Sequence, residues 1–161
     1  MAAPTEFYLS LGSNISPESH LRAAVRLLRE YGEVPAISTV WESHAVGSDG
    51  PNFLNASIRF DAELSARTLK RTLIDNIEQD LGRIRSSDKN AARTIDLDIL
   101  MENGRALNPR LWEHPFVILP MAELLPDFRH PGSGRSLRAE AALAAAALWI
   151  RPRPEIDLAG P

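Results

Sequence analysis

The chain has 161 residues, no cysteine, 18 Lys+Arg against 21 Asp+Glu, and a hydrophobic fraction of 44%. It is apolar enough to bury a core, so wholesale disorder is excluded; without cysteine, so are disulfides, thiolate metal centres, iron–sulfur clusters and cysteine nucleophiles. A net charge of −3 argues against a general nucleic-acid binder, no apolar run approaches the ~20 residues that span a bilayer, and no basic-then-apolar leader opens the chain. A cytoplasmic protein with no nucleic-acid or membrane partner is expected.

Residues 7–11 form an apolar run ending in Gly12-Ser13-Asn14, which predicts a buried strand and a turn. Ser16-Pro17 opens a helix, with serine as N-cap and proline at the first helical position. Leu21, Ala24, Val25, Leu28 and Tyr31 recur at helical spacing, and Gly32 is the stop. Residues 34–42 read as a second strand and 43–52 as a loop. In residues 53–61, Leu54, Ala56, Ile58 and Phe60 alternate with Phe53, Asn55, Ser57 and Arg59, the period of a strand. Ser65 caps a helix in which Leu69, Leu73, Ile77 and Leu81 recur until Gly82. A polar, basic loop leads to Arg93, and residues 94–101 form another strand. The order β-α-β-β-α-β predicts an α+β sandwich with a ferredoxin-like core: an antiparallel sheet with helices on one face.

Further on, Glu102-Asn103-Gly104 reads as a turn and residues 116–125 as a short helix after an extended entry. Residues 139–148 hold seven alanines and read as helix, and 151–161, with three prolines, as a loose tail. No repeat or long linker divides the chain, so residues 1–161 are taken as a single domain, of which 139–161 are an Ala-rich helix and a Pro-rich tail.

The sharpest chemical feature is Asp96-Leu97-Asp98. Strand alternation puts Ile95, Leu97 and Ile99 on one face and both carboxylates on the other, with Cα atoms ~6.5–7 Å apart. Aspartate is a poor strand former, so two in one strand interior need a reason. Oxygen-only donors suit Mg²⁺, which takes one or two carboxylates and completes its shell with substrate phosphates; a solvated strand face is the bland alternative. Arg83, Arg85, Lys89 and Arg93 stand against Asp88 in the preceding loop, a local basic excess in an acidic chain. A basic loop beside a carboxylate pair suggests a polyphosphate held between arginines and Mg²⁺. All the basic residues except Lys70 and Lys89 are arginine, whose forked donors suit phosphate. Glycine-rich nucleotide loops and a nucleophile elbow are missing. Phe53 and Asn55 share one strand face, where an aromatic ring and an amide can hold a flat heterocycle; a half-buried Phe with a turn-supporting Asn is the alternative. His114 lies in a loop before Pro115 and is a candidate ligand contact; His20 falls on a helix and reads as structural.

Taken together, Leu9-Ser10-Leu11-Gly12-Ser13-Asn14, Pro51-Asn52-Phe53-Leu54-Asn55-Ala56, Gly82-Arg83-Ile84-Arg85 and above all Arg93-Thr94-Ile95-Asp96-Leu97-Asp98-Ile99 resemble the 6-hydroxymethyl-7,8-dihydropterin pyrophosphokinase family, collinearly over residues 8–137. The resemblance implies transfer of the β,γ-pyrophosphoryl group of ATP to the pterin hydroxymethyl in folate biosynthesis, releasing AMP, by a cytoplasmic monomer. It implies that Asp96 and Asp98 hold a pair of Mg²⁺ ions and that Arg83 and Arg93 are catalytic. Glu78, Arg85 and His114 match nucleotide positions, and Ser43, Val46, Phe53, Asn55 and Phe116 match the pterin site. One departure stands out: His114-Pro115 runs straight into Phe116-Val117-Ile118, where the family carries a longer stretch that includes an arginine. A paralogue acting on a related hydroxymethylpterin, or a non-catalytic pterin or nucleotide binder, is therefore kept as an alternative, and Arg110 or Arg129 as a substitute for that arginine. An RNA-binding module on the same fold is disfavoured by the charge and by the aspartate pair.

Overall fold

The structure is a computed structural model that describes residues 3–45, 47, 49–83 and 92–160. The apolar run at the start becomes β1 (Thr5–Ser13), the central strand. It pairs antiparallel with β4 (Phe53–Ala62) on one side and β5 (Asp96–Glu102) on the other. Between β1 and β4 in sequence come α1 (Pro17–Arg29), β2 (Glu33–Ile37) and β3 (Trp41–Ser43), both strands pairing with β4. Between β4 and β5 lies a helix that runs through α2 (Ala66–Thr68), a π-helical stretch Leu69–Ile74 and α3 (Asp75–Asp80). The order β5-β1-β4-β2 is antiparallel throughout and compatible with the ferredoxin-like pattern.

Alternation along the strands decides what each face buries. Phe7, Leu9 and Leu11 of β1, Ile58 and Phe60 of β4, and Leu97 of β5 pack with Leu21, Val25 and Leu28 of α1 and with Leu69, Leu73 and Ile77 of the second helix. Leu97 has no exposed surface, and truncating it to alanine costs about 2–5 kcal/mol through lost burial and the cavity left behind. The chain then covers part of the opposite face as well. A bulge sets Tyr8 opposite Met101 and Leu9 opposite Ile99, so that Leu100 and Met101 both turn toward a second cluster. That cluster is closed by α4 (Arg110–Glu113), α5 (Pro115–Leu124) and α6 (Leu137–Ala147). A hairpin through Asn103 and Gly104, both at positive φ, returns β5 into the short β6 (Arg105–Ala106).

Several local expectations change in detail. Ser65 caps its helix, accepting a hydrogen bond from the Thr68 N–H at 3.1 Å. Ser16 does not cap: its backbone sits at φ 40°, and its side chain makes no cap bond. Gly32 matters for space rather than as a stop, because a Cβ there would lie 2.4 Å from the Asp61 carbonyl oxygen. The single strand expected over 34–42 is broken. At the break Ser38 Oγ accepts the Ser57 N–H at 2.9 Å, and Glu123 of α5 takes hydrogen bonds from Thr39 and from Trp41 Nε1. The tail is not loose. β7 (Ile150–Pro152) pairs with β3, and Ile156 and Leu158 are buried in the first core, so apolar burial outweighs the prolines. Among the described residues, no helix is long and apolar enough to cross a membrane.

Candidate functional site

The strand register builds the floor of the site. Gly12 of β1 stands opposite Asn55 of β4 on one side and Asp96 of β5 on the other; Ser10 stands between Ser57 and Asp98 in the next row. All of these point to the second face of the sheet, beside the region covered by α4 and α5. A cavity of about 420 Å³ opens there, lined by Gly12, Ser43, Phe53, Asn55, Asp96 and Asp98 from the sheet side, by Arg93 from the loop, and by Arg110, His114 and Phe116 from α4 and the start of α5. Gly12 keeps the floor open: a Cβ there would meet Asn55 Oδ1 at 3.3 Å and the Phe53 ring at 3.9 Å.

At the Phe53 side, the buried Asn55 amide donates to Ser43 Oγ at 2.9 Å and to the Trp41 carbonyl at 3.2 Å. The Trp41 carbonyl, which can only accept, therefore fixes the flip of Asn55, and Ser43 helps hold the amide in place. The His114 and Phe116 rings stack on each other at 4.9 Å with planes 8° apart, and the Arg110 guanidinium lies 5.9 Å from the Phe116 centroid. Burial, with help from Arg110, holds the His114 imidazole below its ordinary pKa, so it is neutral near pH 7.

At the other side the carboxylates meet three arginines. Asp96 takes Arg83 Nη1 at 2.9 Å and Arg93 Nη1 at 3.2 Å, and Asp98 faces Arg110 Nη1 at 3.3 Å. Burial pushes the Asp98 carboxyl up, the Asp96 charge adds to it, and Arg110 offsets only part. For Arg83, burial pulls the pKa down, but Asp96 and Glu78 outweigh it and leave the guanidinium above its ordinary value.

Of the residues expected to form the site, Ser43, Phe53, Asn55, Arg93, Asp96, Asp98, His114 and Phe116 line one cavity. Arg85 and Val46 lie outside the described residues. Glu78 differs from its expected nucleotide position: its carboxylate is 3% exposed, accepts Arg83 Nη1 at 2.5 Å and the Leu97 N–H at 3.1 Å, and is not among the lining residues. It holds Arg83 and the start of β5 from behind. Arg83 too is mostly covered, and reaches the cavity through Asp96. Phe116, which the resemblance matches to the pterin site, has one ring partner already in His114.

Two contributors carried only weak sequence signals. Asn14 exchanges hydrogen bonds with the backbone of Arg93, accepting its N–H on Oδ1 at 2.7 Å and donating to its carbonyl at 3.1 Å, and it reaches the Pro51 carbonyl at 3.3 Å. Its signal was the polar Gly-Ser-Asn that ends an apolar strand. Arg110 enters the cavity because α4 precedes α5 directly, whereas Arg129 bonds the Gly134 carbonyl elsewhere. Spacing alone could not choose between them.

Comparison with known proteins gives this arrangement its context. The pattern of the family described as 7,8-dihydro-6-hydroxymethylpterin-pyrophosphokinase (HPPK) matches residues 8–126. A 2-amino-4-hydroxy-6-hydroxymethyldihydropteridine pyrophosphokinase of Synechocystis is 33% identical over 153 residues, covering 84% of this chain and 77% of the relative. Its Bacillus subtilis counterpart is 36% identical over 129 residues, covering 73% and 76%. Among solved structures, Plasmodium falciparum HPPK-DHPS with SDX-DHP superposes with a TM-score of 0.67 at 11% identity, over 89% of this chain and 45% of that one. The structural likeness carries the fold; the sequence matches, which span most of the chain, carry the lineage. The chain belongs to the 7,8-dihydro-6-hydroxymethylpterin-pyrophosphokinase family.

Proposed function

We propose that this chain transfers the β,γ-pyrophosphoryl group of ATP to 6-hydroxymethyl-7,8-dihydropterin, giving the pterin diphosphate and AMP in folate biosynthesis. The observation that carries the reading is a single cavity with an aromatic ring and an oriented amide on one side and two carboxylates among three arginines on the other. The first side suits a flat, hydrogen-bonding heterocycle; the second suits a metal-bound polyphosphate.

The donor set fits Mg²⁺. Two neighbouring carboxylates face the cavity; burial, and after it the Asp96 charge, raise the Asp98 pKa, and a divalent cation would offset both. Among the described residues no group of three or more His, Cys, Asp and Glu side chains could hold a metal, so phosphate oxygens and water would complete the shell. Asp96 and Asp98 would hold the ions, which neutralise phosphate charge.

The remaining work falls to the chain's own side chains. In our reading Phe53 and Phe116 stack the pterin, and Asn55, held by Ser43, pairs with its edge. Arg93 and Arg110, which line the cavity, neutralise the transferring group, and Arg83, held behind Asp96 by Glu78, adds its charge from further back. The hydroxymethyl oxygen bonds to Pβ as the bond from Pβ to the α,β-bridging oxygen breaks; AMP leaves with that electron pair, and the hydroxyl proton passes to solvent. Such a transfer needs positioning and charge neutralisation, not a covalent nucleophile. We read residues 1–161 as one unit, which the seating of β7, Ile156 and Leu158 supports, and we take it to act as a cytoplasmic monomer.

A second reading has one observation behind it. α5 begins at Pro115, immediately after His114, leaving no room for the longer segment that the family resemblance predicts. This favours a paralogue with another pterin preference, or a binder without turnover. Nucleotide analysis after mixing the protein with ATP, Mg²⁺ and the pterin decides: AMP formed in step with pterin diphosphate supports transfer. Pterin binding without AMP overturns transfer and moves the reading to the binder, and AMP with a related pterin alone moves it to the paralogue.

A further inference from the structure

The family match ends at residue 126, yet the segment beyond it packs against β3, whose Ser43 lines the cavity. β7 pairs with β3 so that Ile150 stands opposite Ser43, which accepts a hydrogen bond from the Asn55 amide. Three-residue pairings are weak alone, and this one is reinforced. Glu42 accepts hydrogen bonds from Arg151, Arg153 and Asn52. Asn52 Oδ1 in turn lies 3.0 Å from His44 Nδ1. The His44 ring, which lines the cavity, stacks on Trp149 at 4.3 Å with planes 18° apart, and the Arg151 guanidinium lies 5.5 Å from the same indole. Trp149 is 44% exposed, so the stack on His44 covers only part of its ring. Ring packing, strand pairing and ion pairs thus converge on the residues flanking Ser43.

We propose that the C-terminal segment 148–153 is part of the substrate-binding apparatus, with Trp149 a positioning residue that acts through its stack on His44 to set the cavity wall beside Ser43 and Asn55. This rests on the pterin reading of that side of the cavity. Trp149 is not among the lining residues, so its effect passes through His44 rather than through contact with substrate. The segment can therefore tune which heterocycle fits without touching the phosphate-side machinery.

The test is titration calorimetry of wild type, W149A and W149F with 6-hydroxymethyl-7,8-dihydropterin, and separately with Mg²⁺ and α,β-methylene-ATP. Steady-state kinetics and thermal melting accompany it. W149A is expected to raise the pterin Kd and KM about fivefold, the worth of one aromatic stack, with kcat and nucleotide Kd within about twofold. W149F, which keeps the stack, restores most of the loss and serves if W149A folds poorly. In a double-mutant cycle the W149A effect should vanish in an H44A background. An unchanged pterin Kd in folded W149A overturns the proposal, as does equal loss of pterin and nucleotide binding, or a W149A effect undiminished by H44A. Absence of pterin binding to the wild type overturns the pterin reading itself, which distinguishes the two failures.

Discussion

Two carboxylate–arginine clusters of similar make-up sit on this sheet in opposite electrostatic states. At the edge, Glu42 accepts from Asn52, Arg153 and Arg151, and these bonds, Asn52 first, outweigh burial and bring its pKa down to about 2. In the cavity, Asp98 is buried beside Asp96, and Arg110 and Lys70 offset only part of this, so burial and repulsion leave its pKa raised. The buried Glu78 adds a third negative group behind them. The edge cluster has satisfied its charges and staples two strands. The cavity cluster keeps two carboxylates side by side with arginines resting on them, and in the proposed reading a metal and a polyphosphate would relieve both sets of charges. Like residues reach different states because Glu42 stands alone among its donors, whereas Asp98 is buried beside a second carboxylate.

The contrast is broken most severely at the carboxylates. Asp96→Ala or Asp98→Ala should lower AMP formation at least about a thousandfold, the several kcal/mol a metal supplies, and chelation of divalent cations should do the same. Turnover by either variant at low Mg²⁺ equal to wild type would remove the metal assignment. Next comes Arg93→Ala, expected to slow kcat about a hundredfold while changing pterin Kd far less. Single-turnover rates beside pterin titration separate these, and a loss confined to pterin binding would reassign the loop.

A smaller effect is expected at the floor. Gly12→Ala puts a methyl against Asn55 Oδ1 and the Phe53 ring, and should weaken pterin binding about tenfold with little change in melting temperature. An unaltered pterin Kd would mean that the heterocycle does not reach this row. The mildest change concerns stability at the edge. Because the folded pKa of Glu42 is depressed, its contribution is fully present above about 4.5 and is lost as pH falls through about 2. Glu42→Gln should therefore be less stable than wild type by about 1–3 kcal/mol at neutral pH, with the gap closing across that window in denaturant titrations. A gap that persists at pH 2 would show that shape, not charge, holds the staple.

Much of this molecule was legible locally. Alternation in residues 94–101 put Asp96 and Asp98 on one face because side-chain direction in a strand follows from the backbone alone. The Ser65 cap and the four-residue spacing of Leu69, Leu73 and Ile77 are likewise properties of a few consecutive residues. Ser16 shows the limit: its residue type suits a cap, but the chain arriving from β1 forces its backbone to φ 40°.

What the sequence by itself determined is the set of elements, the faces that carry charge, and the motifs that mark the family. Only the tertiary structure decided which distant groups share a cavity. Arg110 rather than Arg129 faces Asp98, Glu78 supports the site from behind, Gly12 opens the floor, and β7 becomes a strand beside β3. The physical reason is range. Propensity and periodicity act over a turn or a pleat, whereas pairing register, close approach and charge neutralisation depend on segments a hundred residues apart meeting across one sheet.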